Sequence, residues 1–154
     1  MCYTIRGLEP APYQPLFGLP DDELARMGVI RMTVDGPGFP CRVSLTDREP
    51  GETVLLVNHL SHDVANPYRA SHAIFVAEGE TNAAEYVDQV PPVFETRVLS
   101  LRGFDRDGMM ADAILTQPGE ADPGIRKLFA NPDIETIHAH NATRGCFSAR
   151  IERN

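Results

Sequence analysis

The residues best equipped for chemistry lie near the C-terminus, in His138-Ala139-His140-Asn141 and, just beyond, Gly145-Cys146. Imidazoles and thiols bind zinc-like metals, move protons near neutral pH and act as nucleophiles or their activating bases. Strand periodicity gives these residues a geometry. Across 134–140, Ile137 and Ala139 share one face, while Thr136, His138 and His140 share the other. Across 146–152, Phe147, Ala149 and Ile151 share one face, with Cys146, Ser148, Arg150 and Glu152 opposite. Side chains alternate along a strand, so pairing the two apolar faces sets His140 opposite Cys146 and His138 opposite Ser148, with 141–145 as the loop. Directly opposed side chains have Cβ atoms about 5 Å apart. The expectation is a polar face carrying His138, His140 and Cys146 together, with Phe147 and Ile151 turned to the core.

Two chemistries fit that face. His138, His140 and Cys146 could ligate a divalent metal such as zinc. Alternatively, Cys146 is a nucleophile, a neighbouring histidine its base and Asn141 an orienting amide. Both have a plain structural counterpart, because strands also carry histidine and cysteine on solvated faces, and Asn141 and Gly145 suit a turn.

Other residues could join the site. Arg42 alternates away from Cys41, Val43 and Leu45, and its planar fork suits a carboxylate or phosphate. Cys41 itself reads as a small buried hydrophobe. His59-Leu60-Ser61-His62-Asp63 reads as a polar loop with His-x-x-His spacing, and His72 as a buried, hydrogen-bonded histidine. Tyr68 and Arg69, in Pro67-Tyr68-Arg69-Ala70-Ser71, are candidate ligand contacts.

The elements that must position these groups follow from local patterns. Residues 8–20 are proline-rich and read as extended. Pro20 to Gly28 reads as a short helix with an acidic first turn and a glycine stop. Strands are expected at 29–34, 41–46, 53–57, 72–76, 93–104, 109–116, 134–140 and 146–152. Asp107-Gly108 is the favoured pair of a two-residue hairpin turn. A second helix is expected from Asp122-Pro123, with Ile125, Leu128 and Phe129 inward, ending before Asn131-Pro132. Short connections favour antiparallel neighbours. The fold class is therefore α+β: a mainly antiparallel, curved sheet or open barrel with two or three short helices, in one domain over 1–154.

Composition narrows the function classes. A net charge of −8 without a basic cluster argues against nucleic acid and anionic membranes. No apolar run approaches the ~18 residues of a membrane span, and no secretion signal is evident, so a cytoplasmic location is expected. Three cysteines make no disulfide framework. P-loop, dinucleotide-binding, nucleophile-elbow and Cys-x-x-Cys motifs are all missing.

An ordered set of motifs adds a resemblance. Pro40-Cys41-Arg42-Val43-Ser44-Leu45, Pro50-Gly51-Glu52, Pro67-Tyr68-Arg69-Ala70-Ser71, Ile74-Phe75-Val76, Leu99-Ser100-Leu101-Arg102 and the ending from His138-Ala139-His140-Asn141-Ala142 to Gly145-Cys146-Phe147 resemble a bacterial family of unknown function, number 1203. The resemblance implies a stand-alone bacterial domain and brings no activity or cofactor. The residues themselves point to a small-molecule-binding domain, with a metal-assisted enzyme as one form of it. The alternatives are a thiol enzyme using Cys146 and a non-enzymatic domain that pairs as a homodimer.

Overall fold

The computed structural model describes residues 1–154 and contains nine strands and three α-helices. The strands form two separate antiparallel sheets. The larger has the order β5-β1-β9-β8-β6-β7, built from Glu85–Val87, Tyr3–Arg6, Phe147–Arg153, Thr136–Asn141, Leu99–Phe104 and Met110–Thr116. The smaller is β2-β3-β4, from Ile30–Thr33, Thr53–His62 and Ala70–Ala77. The helices are α1 (Asp21–Arg26), α2 (Pro92–Glu95) and α3 (Ala121–Phe129). The expected α+β class holds, and neither sheet closes into a barrel.

Each sheet has its own apolar cluster. The larger sheet packs Leu101, Ile137, Ala139 and Ile151 against Ile125, Leu128 and Phe129 of α3. The smaller sheet packs Val54, Leu55, Ile74 and Val76 with Leu24 of α1, Cys41 and Val43. Burying one such aliphatic side chain contributes about 1.5–3 kcal/mol, so each layer has a stabilising core of its own. The face of the larger sheet turned away from α3 meets the smaller sheet, and the polar residues of β8 emerge along that seam.

Several local expectations are met. Helix α1 carries Asp21, Asp22 and Glu23 in its first turn, and Gly28 follows at φ 73°, where an L side chain would be strained. Cys41 is fully buried in the smaller core.

Other expectations are corrected. Residues 41–46 are not a strand. They form tight turns closed by Leu45 N–H to Cys41 O and Cys41 N–H to Thr46 O, both 2.9 Å, with Leu45 at φ 56°. The segment 8–20 is not simply extended; it holds a 3-10 turn at Gln14–Leu16 and lays Leu8, Leu16, Phe17 and Leu19 against the smaller core. The range 93–104 divides into α2 and β6, because Pro91-Pro92 begins a helical turn. The β6–β7 connection runs over 105–109 instead of two residues, with Asp105 N–H bonded to Met109 O at 2.9 Å and Gly108 at φ 75°. In β2, Ile30 is 57 % exposed, although its alternation with Arg31 and Thr33 sets it, with Met32 and Val34, on the expected buried face. The short strands β1 and β5 had no period long enough to read.

Gly7, just after β1, ties the layers together. Its N–H bonds to Ala84 O at 2.9 Å, and Leu8 N–H bonds to Arg42 O at 2.8 Å. A Cβ at Gly7 would lie 2.0 Å from the Val43 carbonyl oxygen, a backbone atom with no room to rotate away. Gly7→Ala is therefore expected to cost roughly 2–3 kcal/mol, measured as a drop in urea-unfolding free energy at neutral pH.

Candidate functional site

All five histidines of the chain, His59, His62, His72, His138 and His140, meet at the seam between the sheets. His138 and His140 project from β8 toward the smaller sheet. His62 meets His138 edge-on with ring centroids 5.0 Å apart, and His72 meets His140 at 4.8 Å. His59 is the cross-strand partner of His72. Two phenylalanines separate the imidazoles. Phe104 lies 4.1 Å from His62 and 5.0 Å from His138, and Phe147 lies 5.4–5.8 Å from His59, His138 and His140.

Strand irregularities set this arrangement. In β3 a bulge between Leu60 and His62 changes the side-chain phase, so that His59 and His62 both reach the seam. The sequence motif 59–62 is thus strand, not loop. In the last hairpin, His138 stands opposite Arg150 and His140 opposite Phe147, with a shift between Ala139 and His140. The expected partners, Ser148 for His138 and Cys146 for His140, are displaced by two residues and by one. A bulge places two residues against one, so Phe147 turns to the histidine face while Ala149 and Ile151 remain in the core. Phe147 belongs to neither apolar cluster.

Hydrogen bonds tie down four of the five imidazoles. His62 Nε2 donates to Gly108 O at 2.8 Å, and His140 Nδ1 donates to Gly145 O at 3.0 Å. The Ser61 hydroxyl is spent on Ala70 O, so at 2.8 Å it accepts from His72 Nδ1–H. His59 Nδ1 lies 3.3 Å from the Tyr13 hydroxyl. His138 has no hydrogen-bond partner in the protein, although it is only 2 % exposed. It lines a cleft of about 560 Å³ between β3 and the β8–β9 pair, together with His59, His62, Thr136, Phe147 and Arg150. That volume is typical of a small-molecule site.

Burial biases His59, His72, His138 and His140 toward the neutral form. Desolvation, reinforced by His62, His140 and nearby arginines, lowers the His138 pKa to about 3. Desolvation likewise lowers His140 to about 4, against a small opposing effect of its bond to Gly145. His59 and His72 are also shifted down, chiefly by burial.

Arg42 enters the seam from the opposite side. It is 2 % exposed. Its Nε donates to Phe147 O at 2.9 Å, Nη1 to Pro40 O at 2.8 Å and Nη2 to Cys146 Sγ at 3.2 Å. Asn141 Nδ2 also donates to Cys146 Sγ, at 3.6 Å, and Asn141 Oδ1 is buried without a partner. The thiol is therefore engaged by Arg42 and Asn141, while the near nitrogen of His140 is bound to Gly145. No set of three or more histidine, cysteine or acidic side chains is arranged to hold a metal ion, so His138, His140 and Cys146 do not fit as a zinc ligand set. Arg69 is paired with Asp63 at the surface, and the Tyr68 ring stands edge-on to Phe104 at 6.3 Å; neither lines the cleft.

Residues 38–153 match the model of a family described as "Protein of unknown function (DUF1203)". The chain belongs to this family. No curated protein and no solved structure matches it. The matched span holds every histidine, Arg42, Asn141 and Cys146, while Tyr13 beside His59 and Leu8 of the cleft precede it. No helix is long and apolar enough to cross a membrane.

The sequence did not reveal that Phe147 faces the histidines or that His59, His62 and His72 join the hairpin. The available signal was that each histidine falls within or beside an apolar strand pattern.

The bias toward the neutral form has a pH consequence. Unfolded, these imidazoles titrate near 6.5; folded, His138 and His140 take up protons only near 3 and 4. Between those values the unfolded chain binds more protons, so the contribution of these two histidines to stability is constant above about pH 6.5 and falls as the pH drops. The slope approaches about 1.4 kcal/mol per pH unit for each such histidine. Urea unfolding at pH 7.5, 6 and 5 measures it. His138→Phe, which suits the aromatic surroundings, should remove about one proton from that slope and fold at least as stably at pH 5.

Proposed function

We propose that the chain binds a small polar molecule against the histidine face of β8, with His138 as the group that orients it. The observation that carries this reading is a buried imidazole without a protein partner, bordering a cleft of suitable size. The three cysteines are unpaired, which suits a reducing, cytoplasmic setting.

The magnitude of the His138 shift favours binding over proton abstraction. A group with pKa about 3 is a weak base at pH 7, roughly four units from the value that general-base catalysis prefers. A neutral imidazole can still donate one hydrogen bond and accept another. A thermal-shift screen of small polar compounds against the wild-type protein and His138→Phe tests the reading. Compounds that raise the wild-type Tm and leave the variant unmoved are expected. If every active compound shifts both proteins equally, the site lies elsewhere.

A second reading rests on the Arg42–Cys146 contact. A thiolate beside a guanidinium is a competent nucleophile, and Asn141 supplies a second donor to the sulfur. Cys2 provides an internal contrast, since its hydrogen bond to Asp88 raises its pKa. Iodoacetamide at pH 7, followed by peptide mass spectrometry, should modify Cys146 at least tenfold faster than Cys2, and Asn141→Ala should reduce that advantage. Equal rates would remove this reading.

A further inference from the structure

We propose that the cleft takes a small aliphatic amine, its ammonium held at an acidic rim of Asp105, Asp107 and Glu135 and its neutral polar end on the ring of His138. The proposal deepens the binding-site reading above and rests on it. The first observation is that charge and burial are separated within the cleft. His62, His138 and Phe147 form a buried floor. The lining carboxylates of Asp63, Asp105, Asp107 and Glu135 stand at more open positions. Asp63 is paired with Arg69, and the lining Arg150 with Glu152. Asp105, Asp107 and Glu135 therefore face only Arg106. The rim carries an excess of negative charge, and the net charge of −8 on the whole chain reinforces it, so a positive group is drawn to this edge.

The second observation is independent of the acids. His138 lines the cleft at 2 % exposure and bonds to no group of the protein. A neutral imidazole offers one N–H and one lone pair, which match a hydroxyl or an amide in either orientation. The ammonium belongs at the other end of the ligand, because Arg102 and Arg150 both act on His138 and would repel a cation placed there. The backbone sets the distance between the two ends. Phe104 pairs with Thr136 on the β6–β8 ladder, and Glu135 N–H bonds to Phe104 O at 2.9 Å, so Asp105 and Glu135 share the end of that ladder. His138 lies three positions beyond Glu135, about 10 Å along an extended chain. A chain of about five methylenes with a hydrogen bond of about 3 Å at either end covers that separation.

The acidic turn is itself held in place. Asp105 Oδ1 accepts from Asp107 N–H and Met109 N–H, both at 2.9 Å, which leaves Oδ2 for a ligand. The carboxylates are not gathered into a set that would hold a metal ion, so an ammonium, whose N–H groups diverge, suits them better than a bare cation. Both ends of the ligand thus meet groups that the protein leaves unused.

Isothermal titration of the full chain at low, constant ionic strength tests the proposal with three straight-chain probes substituted at both ends: aminopentanol, neutral pentanediol and anionic hydroxypentanoate. Saturable one-site binding of the amine is expected, with the diol weaker and the hydroxy acid weakest. Asp107→Asn combined with Glu135→Gln should weaken the amine about fivefold, the scale of two exposed ion pairs. Arg106→Gln should tighten it, because that change removes the opposing charge from the rim. Glu23→Gln combined with Asp35→Asn removes the same charge from exposed positions outside the cleft and should leave it unchanged. No saturable amine binding, hydroxypentanoate binding as tightly as the amine, or an equal loss in the two double variants overturns the proposal. A diol that binds as tightly as the amine, and is lost in His138→Phe, would leave the binding site standing and remove only its positive ligand. Amine binding that the cleft pair weakens and His138→Phe leaves intact would uphold the acidic rim and overturn the reading of His138.

Discussion

A guanidinium buried between two sheets must be solvated by the protein itself, and the seam of this molecule is organised around doing so for Arg42. The turn at 41–45 brings Pro40 O to Nη1. The bulge in β9 brings Phe147 O to Nε. Cys146 supplies its sulfur to Nη2. The main chain of Arg42 bonds in two further directions, to Phe75 O of β4 and to Leu8 N–H beyond β1. One residue thus links both sheets and the N-terminal segment. Each partner group is in turn fixed by a feature that looks irregular when taken alone. A positive φ at Leu45, a slipped register beside Ser148 and a cysteine in place of a carboxylate all become intelligible as consequences of housing one charge without an acid.

The same constraint explains the electrostatic character of the site. A carboxylate beside Arg42 would have offset the charge and let nearby imidazoles titrate in the ordinary range. Carbonyls and a sulfur satisfy its hydrogen bonds and leave its field largely intact. That field, that of Arg102 and the desolvation imposed by Phe104 and Phe147 all act in one direction on the histidines. The outcome is a group of imidazoles, His59, His72, His138 and His140, biased toward the neutral form, which differs from a charged histidine patch.

How much of this was legible in the sequence depended on how local each determinant is. Helix α3, its apolar stripe of Ile125, Leu128 and Phe129, and the glycine stop after α1 are written in adjacent residues, and they are where the sequence places them. The shared face of His138 and His140, and the core face of Ala149 and Ile151, follow from strand period alone. The bulges do not. Neither Ser61 nor Ser148 carries a glycine or proline signal, and each bulge is favoured by contacts from another layer: Phe104 and Gly108 around His62, and Arg42 at the Phe147 carbonyl. A one-residue shift was enough to exchange Cys146 for Phe147 opposite His140. Polar composition also misled at 58–62, because a strand lining a polar seam looks like a loop when read in one dimension.

The convergence of every histidine on one seam makes this protein unusually easy to observe. Chain grown on isotope-labelled histidine would carry its label nowhere else, so the imidazole resonances form a spectrum of the seam alone, free of background from the rest of the fold. Tautomer, protonation and occupancy would each be readable ring by ring, with His138 distinguished as the one whose signal no protein hydrogen bond pins in place.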